Sequence, residues 1–145
     1  LSSLAVTLAV LANIERERGA LSAALAYSEE SLDLREQVFG RDNVMIATGL
    51  VTHARIVAEL GQPEDAEALA REALALHAEA GTLDGLRAAN VRLALGRLLI
   101  AQSRPDEARA VIEPALASAA RELPAESPEL ERYRAALAKT ARGSE

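Results

Sequence analysis

The sequence predicts an all-α fold built as an array of helical hairpins, and three observations carry that prediction. Apolar residues recur at the three-and-four spacing of a helix face, as in Leu4, Leu8, Leu11 and Ile14. Breaker residues stand at a fixed interval, with Gly19, Gly61 and Ser103 each forty-two residues apart. Small residues and leucines keep the same phase: Ala24, Ala66 and Ala108; Ala26, Ala68 and Ala110; Leu32, Leu74 and Leu116. A period of this length with a locked phase is the mark of a repeat architecture, in which each supersecondary unit buries its apolar face against its neighbours.

The elements follow in order. A first helix covers about Leu1 to Arg18 and ends on Glu15-Glu17 charge and Gly19. A second runs from about Leu21 to Phe39, with Gly40 as a C-terminal cap and Asp42 or Asn43 as acceptors for the next helix. The third extends to Leu60 and is broken by Gly61. Pro63 then opens the fourth at a position where its missing N–H costs nothing, with Glu64 and Asp65 placed favourably in the first turn. Thr82 or Asp84 is expected to cap the fifth helix, which carries Leu86, Val91, Leu95 and Leu99. Pro105-Asp106-Glu107 repeats the Pro63 opening, and Pro114 inside the sixth helix is expected to kink it against the carbonyl of Ala110. Ser127 and Pro128 start a last helix with Leu130, Tyr133, Leu137 and Ala141 on its apolar face, and the tail Arg142-Gly143-Ser144-Glu145 should be loose. The expected division is three hairpins, at about 1–40, 42–81 and 83–122, followed by a C-terminal capping helix at 127–142.

Composition excludes several classes of function. Half of the 145 residues are apolar but only Tyr27, Phe39 and Tyr133 are aromatic, so the core is made of Ala, Leu and Val. The absence of Cys rules out disulfides, thiolate metal ligands and thiol nucleophiles. A net charge of -6 and a pI near 5.0 oppose a nucleic-acid surface, which needs clustered basic charge. No apolar run approaches the roughly 20 residues that span a bilayer, and no signal peptide opens the chain. The first residue is Leu1, which reads as the start of a piece of a longer protein. His53 and His77 lie on different helices and suggest no shared metal site; no catalytic constellation, cofactor motif or phosphate loop is present. Catalysis is not expected.

The repeats resemble the tetratricopeptide repeat. Leu95-Gly96, Leu99, Ala108 and Ile112 stand at that signature's separations, as do Leu50, His53-Ala54, Val57, Ala66 and Ala70, and Leu8, Leu11-Ala12, Glu15, Ala24 and Ser28. The 42-residue period and the segment Leu34 to Asp42 are similar to the kinesin-light-chain type found in many bacterial regulators. The asparagine pairs usual in its first helices are replaced by Ala9-Val10 and Val51-Thr52, and the positions of the lysine-rich carboxylate clamp read Ala9, Thr52, Asn90 and Ala94, with only Asn13 agreeing.

The resemblance implies a right-handed α-solenoid whose first helices line a concave groove. Val6, Ala9, Val51 and Leu93 fall in that frame, and the groove contacts it implies are Asn13, Arg16, Thr48, Arg55, Glu59, Asn90 and Arg97, with Asn13, Arg55 and Arg97 at one repeat position. The first helices carry six arginines against four carboxylates, and the second helices four against thirteen. A mildly basic groove on an acidic body suits a protein or peptide partner with acidic character. The resemblance implies no cofactor, and the expected location is the cytoplasm. The alternatives are a sensory or regulatory segment of a larger kinase or transcription regulator, and self-association through an exposed N-terminal helix.

Overall fold

The computed structural model describes residues 1–142, so the expectation for the tail after Arg142 lies outside the described residues. Seven α-helices follow one another: α1 (Ser2–Glu17), α2 (Leu21–Phe39), α3 (Ala47–Glu59), α4 (Pro63–Glu79), α5 (Leu86–Ala101), α6 (Pro105–Glu122) and α7 (Pro128–Arg142), with a 3-10 turn at Val44–Ile46 leading into α3. There is no strand among the described residues. The chain forms two compact units, Leu1–Ala80 and Gly81–Glu145. In the first, α1 packs on α2 and α3 on α4, and α3 also contacts α1 and α2. In the second, α5 packs on α6, and α7 lies against both.

The hairpin turns are copies of one device. At Gly19 the amide donates to the Arg16 carbonyl and the next amide, Ala20, reaches back to Glu15; Gly61 and Gln62 do the same to Ala58 and Val57, and Ser103 and Arg104 to Ile100 and Leu99. This pair of bonds satisfies helix-end carbonyls and requires a left-handed residue at its centre. Gly19 and Gly61 adopt φ of +81° and +86°, and Ser103 takes φ +60°, the only positive-φ residue besides glycines among the described residues. Pro63 and Pro105 then occupy the first turns of α4 and α6.

Close helix approach follows from small residues at the contact. Ala12, Ala24, Ala54, Ala66, Ala70, Ala88 and Ala108 are fully or almost fully buried. Gly96 allows the tightest approach: a Cβ there would stand 2.6 Å from Ile112 Cδ1, inside van der Waals contact. Ile112 is itself completely buried.

Two local expectations change. Neither Thr82 nor Asp84 holds the N-cap position of α5: the helix begins at Leu86, and Gly85 is the N-cap residue without a side-chain bond. Asn43 does cap, but its side chain accepts from Met45 N of the 3-10 turn rather than from α3 directly. Helix α6 spans Pro114, which lies on its exposed side, where the lost hydrogen bond can be replaced by water. Ser127 accepts from Glu129 N at the start of α7, as its place before Pro128 predicts.

Candidate functional site

In the first unit, Arg16 and Glu59 come together. Arg16 stands in the last turn of α1 and Glu59 ends α3, and the Arg16 guanidinium lies 2.7 Å from Glu59 Oε1. Residues forty-three apart in sequence thereby join the first helices of two hairpins. The Arg16 Nε is buried without a hydrogen-bond partner, so the guanidinium is held by one edge. Asn13, one turn earlier, donates from Nδ2 to the Ala9 carbonyl at 3.2 Å, and its Oδ1 is buried without a partner. Thr48 is exposed, and its carbonyl accepts from the Thr52 hydroxyl. Arg55 is half-buried. Val6 is exposed, whereas Ala9 and Val51, expected in the groove frame, belong to the core.

In the second unit, Asn90 is engaged. The buried Tyr133 of α7 donates its hydroxyl to Asn90 Oδ1 on α5, because α7 lies against α5. Burial raises the Tyr133 phenol above its usual value, and Glu129 adds to that, while Arg132 and Arg97 oppose it. Arg97 is exposed on α5, and Leu93 one turn before it is core. Partial burial of the Arg97 guanidinium, and then the like charge of Arg132 on α7, hold it below the usual arginine value. The Tyr133 phenol acts on Arg97 in the opposite sense.

A polar pair in the first unit was not predicted. His53 Nδ1 on α3 lies 2.8 Å from Ser28 Oγ on α2, and Ser28 Oγ lies 3.0 Å from the Leu25 carbonyl. With the hydroxyl proton directed to Leu25, His53 donates from Nδ1 and leaves Nε2 as an acceptor. Burial lowers the His53 pKa, partly offset by Glu29. His53 also borders an open cleft of about 380 Å³ between α3 and α4, with Asp65, Leu69 and Glu72 on its other wall. The pair has a visible sequence signal. At repeat positions where Leu11 and Leu95 stand, the second repeat has His53, and where Ala70 and Ile112 stand, the first repeat has Ser28.

Among the described residues no group of three or more His, Cys, Asp or Glu could hold a metal ion, and no helix is long and apolar enough to cross a membrane. Paired helices with one turn geometry recurring every forty-two residues, and small residues at their contacts, define a helical-hairpin repeat protein. The chain belongs to the tetratricopeptide repeat family, whose sequence models match residues 3–79 and 89–129. No curated protein matches the chain. Among solved structures it is similar to nearly identical TPR-like repeats from Podosopora anserina, described as kinesin light chain, with TM-score 0.87, 19% identity and coverage of 99% of this chain and 68% of that one. A point variant of those repeats gives TM-score 0.85 at 20% identity, covering 99% and 67%. BtubC (BKLC) from P. vanneervenii gives TM-score 0.79 at 24% identity, covering 97% of this chain and 56% of that one. Tetratricopeptide repeats generally mediate protein–protein interaction, bind proteins or peptides, and are typically non-catalytic scaffolds.

Proposed function

We propose that this chain is a non-catalytic interaction module that holds an acidic protein segment, a peptide or the face of a partner helix, on the polar surfaces of its first helices. The observation that supports this reading is the exposed Arg97 of α5, which feels the like charge of Arg132 on α7. Two like charges held together relax when an anionic group docks between them. Arg16, by contrast, is already committed to Glu59, and Asn90 to Tyr133. In the second unit the binding contribution therefore concentrates on Arg97; the first unit, taken by itself, offers Asn13, Thr48 and Arg55.

The test is retention of proteins from a lysate of the source organism on the immobilised chain, identified by mass spectrometry. A protein retained by the native chain and lost from Arg97→Gln/Arg132→Gln supports the reading. Equal retention by both moves the contact to other surfaces, and a matching loss from Arg16→Gln alone shows that the Arg16–Glu59 bridge, not Arg97, is what partners meet.

A further inference from the structure

The helix α1 carries an apolar stripe that the later hairpins bury. Leu4, Val10 and Ile14 are 47%, 52% and 43% exposed. Forty-two residues on, the same repeat positions hold Ile46, Thr52 and Ile56 at 0%, 6% and 0%. On α7 they hold Leu130, Ala136 and Thr140 at 1%, 3% and 0%. The difference has a definite structural source. Helix α3 is covered by α1 and α2, the hairpin before it, and α7 by α5 and α6, the hairpin before it. Ile56 itself sits in a cluster with Ala12 of α1 and Ala24, Leu25 and Tyr27 of α2. Ile14 has the same side chain at the same repeat position and is 43% exposed.

A charge repeats the pattern. Glu59 receives Arg16 from the preceding first helix; Glu17 is its equivalent on α1, and the side chain is 72% exposed with only the loose 3.9 Å approach of its neighbour Arg16. From these matches we infer that the exposed face of α1 is the receiving surface for a further helical hairpin of the same 42-residue type, stacked ahead of it in series, with its first helix offering a cation to Glu17. A second copy of the chain docked through α1 alone fits less well. A 16-residue helix presents roughly 24 by 10 Å, about 240 Å², against roughly 800 Å² per partner in a stable dimer. A hairpin joined in series is tethered and needs far less area.

The chain has no cysteine, which gives a single-site assay. Ile14→Cys is made in the chain as it stands and in an extended form with a second copy of residues 1–42 ahead of Leu1, and thiol alkylation by iodoacetamide is timed in both. Ala26→Cys, on an exposed position of α2, serves as the reference, and circular dichroism confirms that each variant is folded. Extension is expected to slow labelling of Ile14→Cys at least about tenfold, because reaction then requires local opening, and to leave Ala26→Cys unchanged. Adding Leu4→Gln and Val10→Gln to the receiving helix is expected to restore fast labelling. Equal rates with and without the extension overturn the inference. So does a concentration-dependent dimer of the unextended chain that the Leu4→Gln/Val10→Gln variant abolishes, since the occupant is then a second copy.

Discussion

Single side chains set how closely the helices pack, and Gly96 shows this best. Its repeat equivalents are Ala12 and Ala54, and the residues at the facing repeat position are Ser28, Ala70 and Ile112. Where the first helix loses a methyl group, the second gains a large side chain. Gly96→Ala gains about 0.8–1.0 kcal/mol in helix propensity but drives a Cβ to within 2.6 Å of the buried Ile112 Cδ1, and overpacking costs roughly 1–3 kcal/mol. The variant should be destabilised in urea unfolding. Ile112→Ala alone should lose about 2–5 kcal/mol. Gly96→Ala/Ile112→Ala, which recreates the Ala54 and Ala70 pair, should lose less than the sum of the two, and strict additivity would count against a shared contact. The His53–Ser28 pair makes a second prediction at this scale. Burial lowers the His53 pKa, so the folded state favours the neutral ring. Its contribution to stability is complete above the unfolded histidine value of about 6.5 and is lost as pH falls from there through the lower folded value. His53→Gln should flatten the stability–pH curve in that window relative to the native chain, as read by thermal unfolding in a pH series. Glu29, Asp65 and Glu72 remain in both proteins, so the difference between the curves isolates the histidine.

At the scale of elements, α7 matters more than a cap in name. It keeps the first-helix register: Leu130, Tyr133 and Ala136 are buried as Ala88, Val91 and Ala94 are forty-two residues earlier. Tyr133 fixes its docking by filling the core and by donating to Asn90. The two roles separate by substitution. Tyr133→Phe removes one hydrogen bond while Asn90, on the surface, can turn to water, so about 0.5–1.5 kcal/mol should be lost. Tyr133→Ala leaves a cavity and should cost about 3–5 kcal/mol, with α7 amides losing protection in hydrogen exchange before those of α5. Equal loss for both variants would mean that the hydroxyl, not the ring, holds α7. The helices and turns were legible because breakers are local: Gly19, Gly61, Pro63 and Pro105 fix chain direction whatever surrounds them. The N-cap of α5 was not, since Thr82, Asp84 and Gly85 all suit a cap within four residues and the local pattern does not choose among them. The Asn90 bond was hidden for a similar reason. Its partner lies forty-three residues away, and only packing of α7 on α5 brings them together. His53 and Ser28 were legible as two polar residues at apolar repeat positions, but not as a pair, because they sit on different hairpins.

For the molecule as a whole, net charge and local charge pull in opposite directions. The chain carries -6, with carboxylates concentrated on the second helices, while the proposed contact uses arginines on α5 and α7. An acidic partner is therefore repelled at long range and attracted at contact. Salt separates the two, because screening at 0.1 M acts beyond roughly 10 Å and weakens exposed contact pairs more gradually. For an acidic peptide such as one with three consecutive glutamates, raising salt from about 0.05 to 0.5 M should leave the association rate flat or slightly higher and should raise the dissociation rate. Steering by a basic surface would instead lower the association rate steeply. Arg97→Gln/Arg132→Gln should remove the salt dependence of dissociation and leave the long-range repulsion, so that stopped-flow association still rises with salt. A dissociation rate that keeps its salt dependence in this variant would place the anionic group elsewhere on the module.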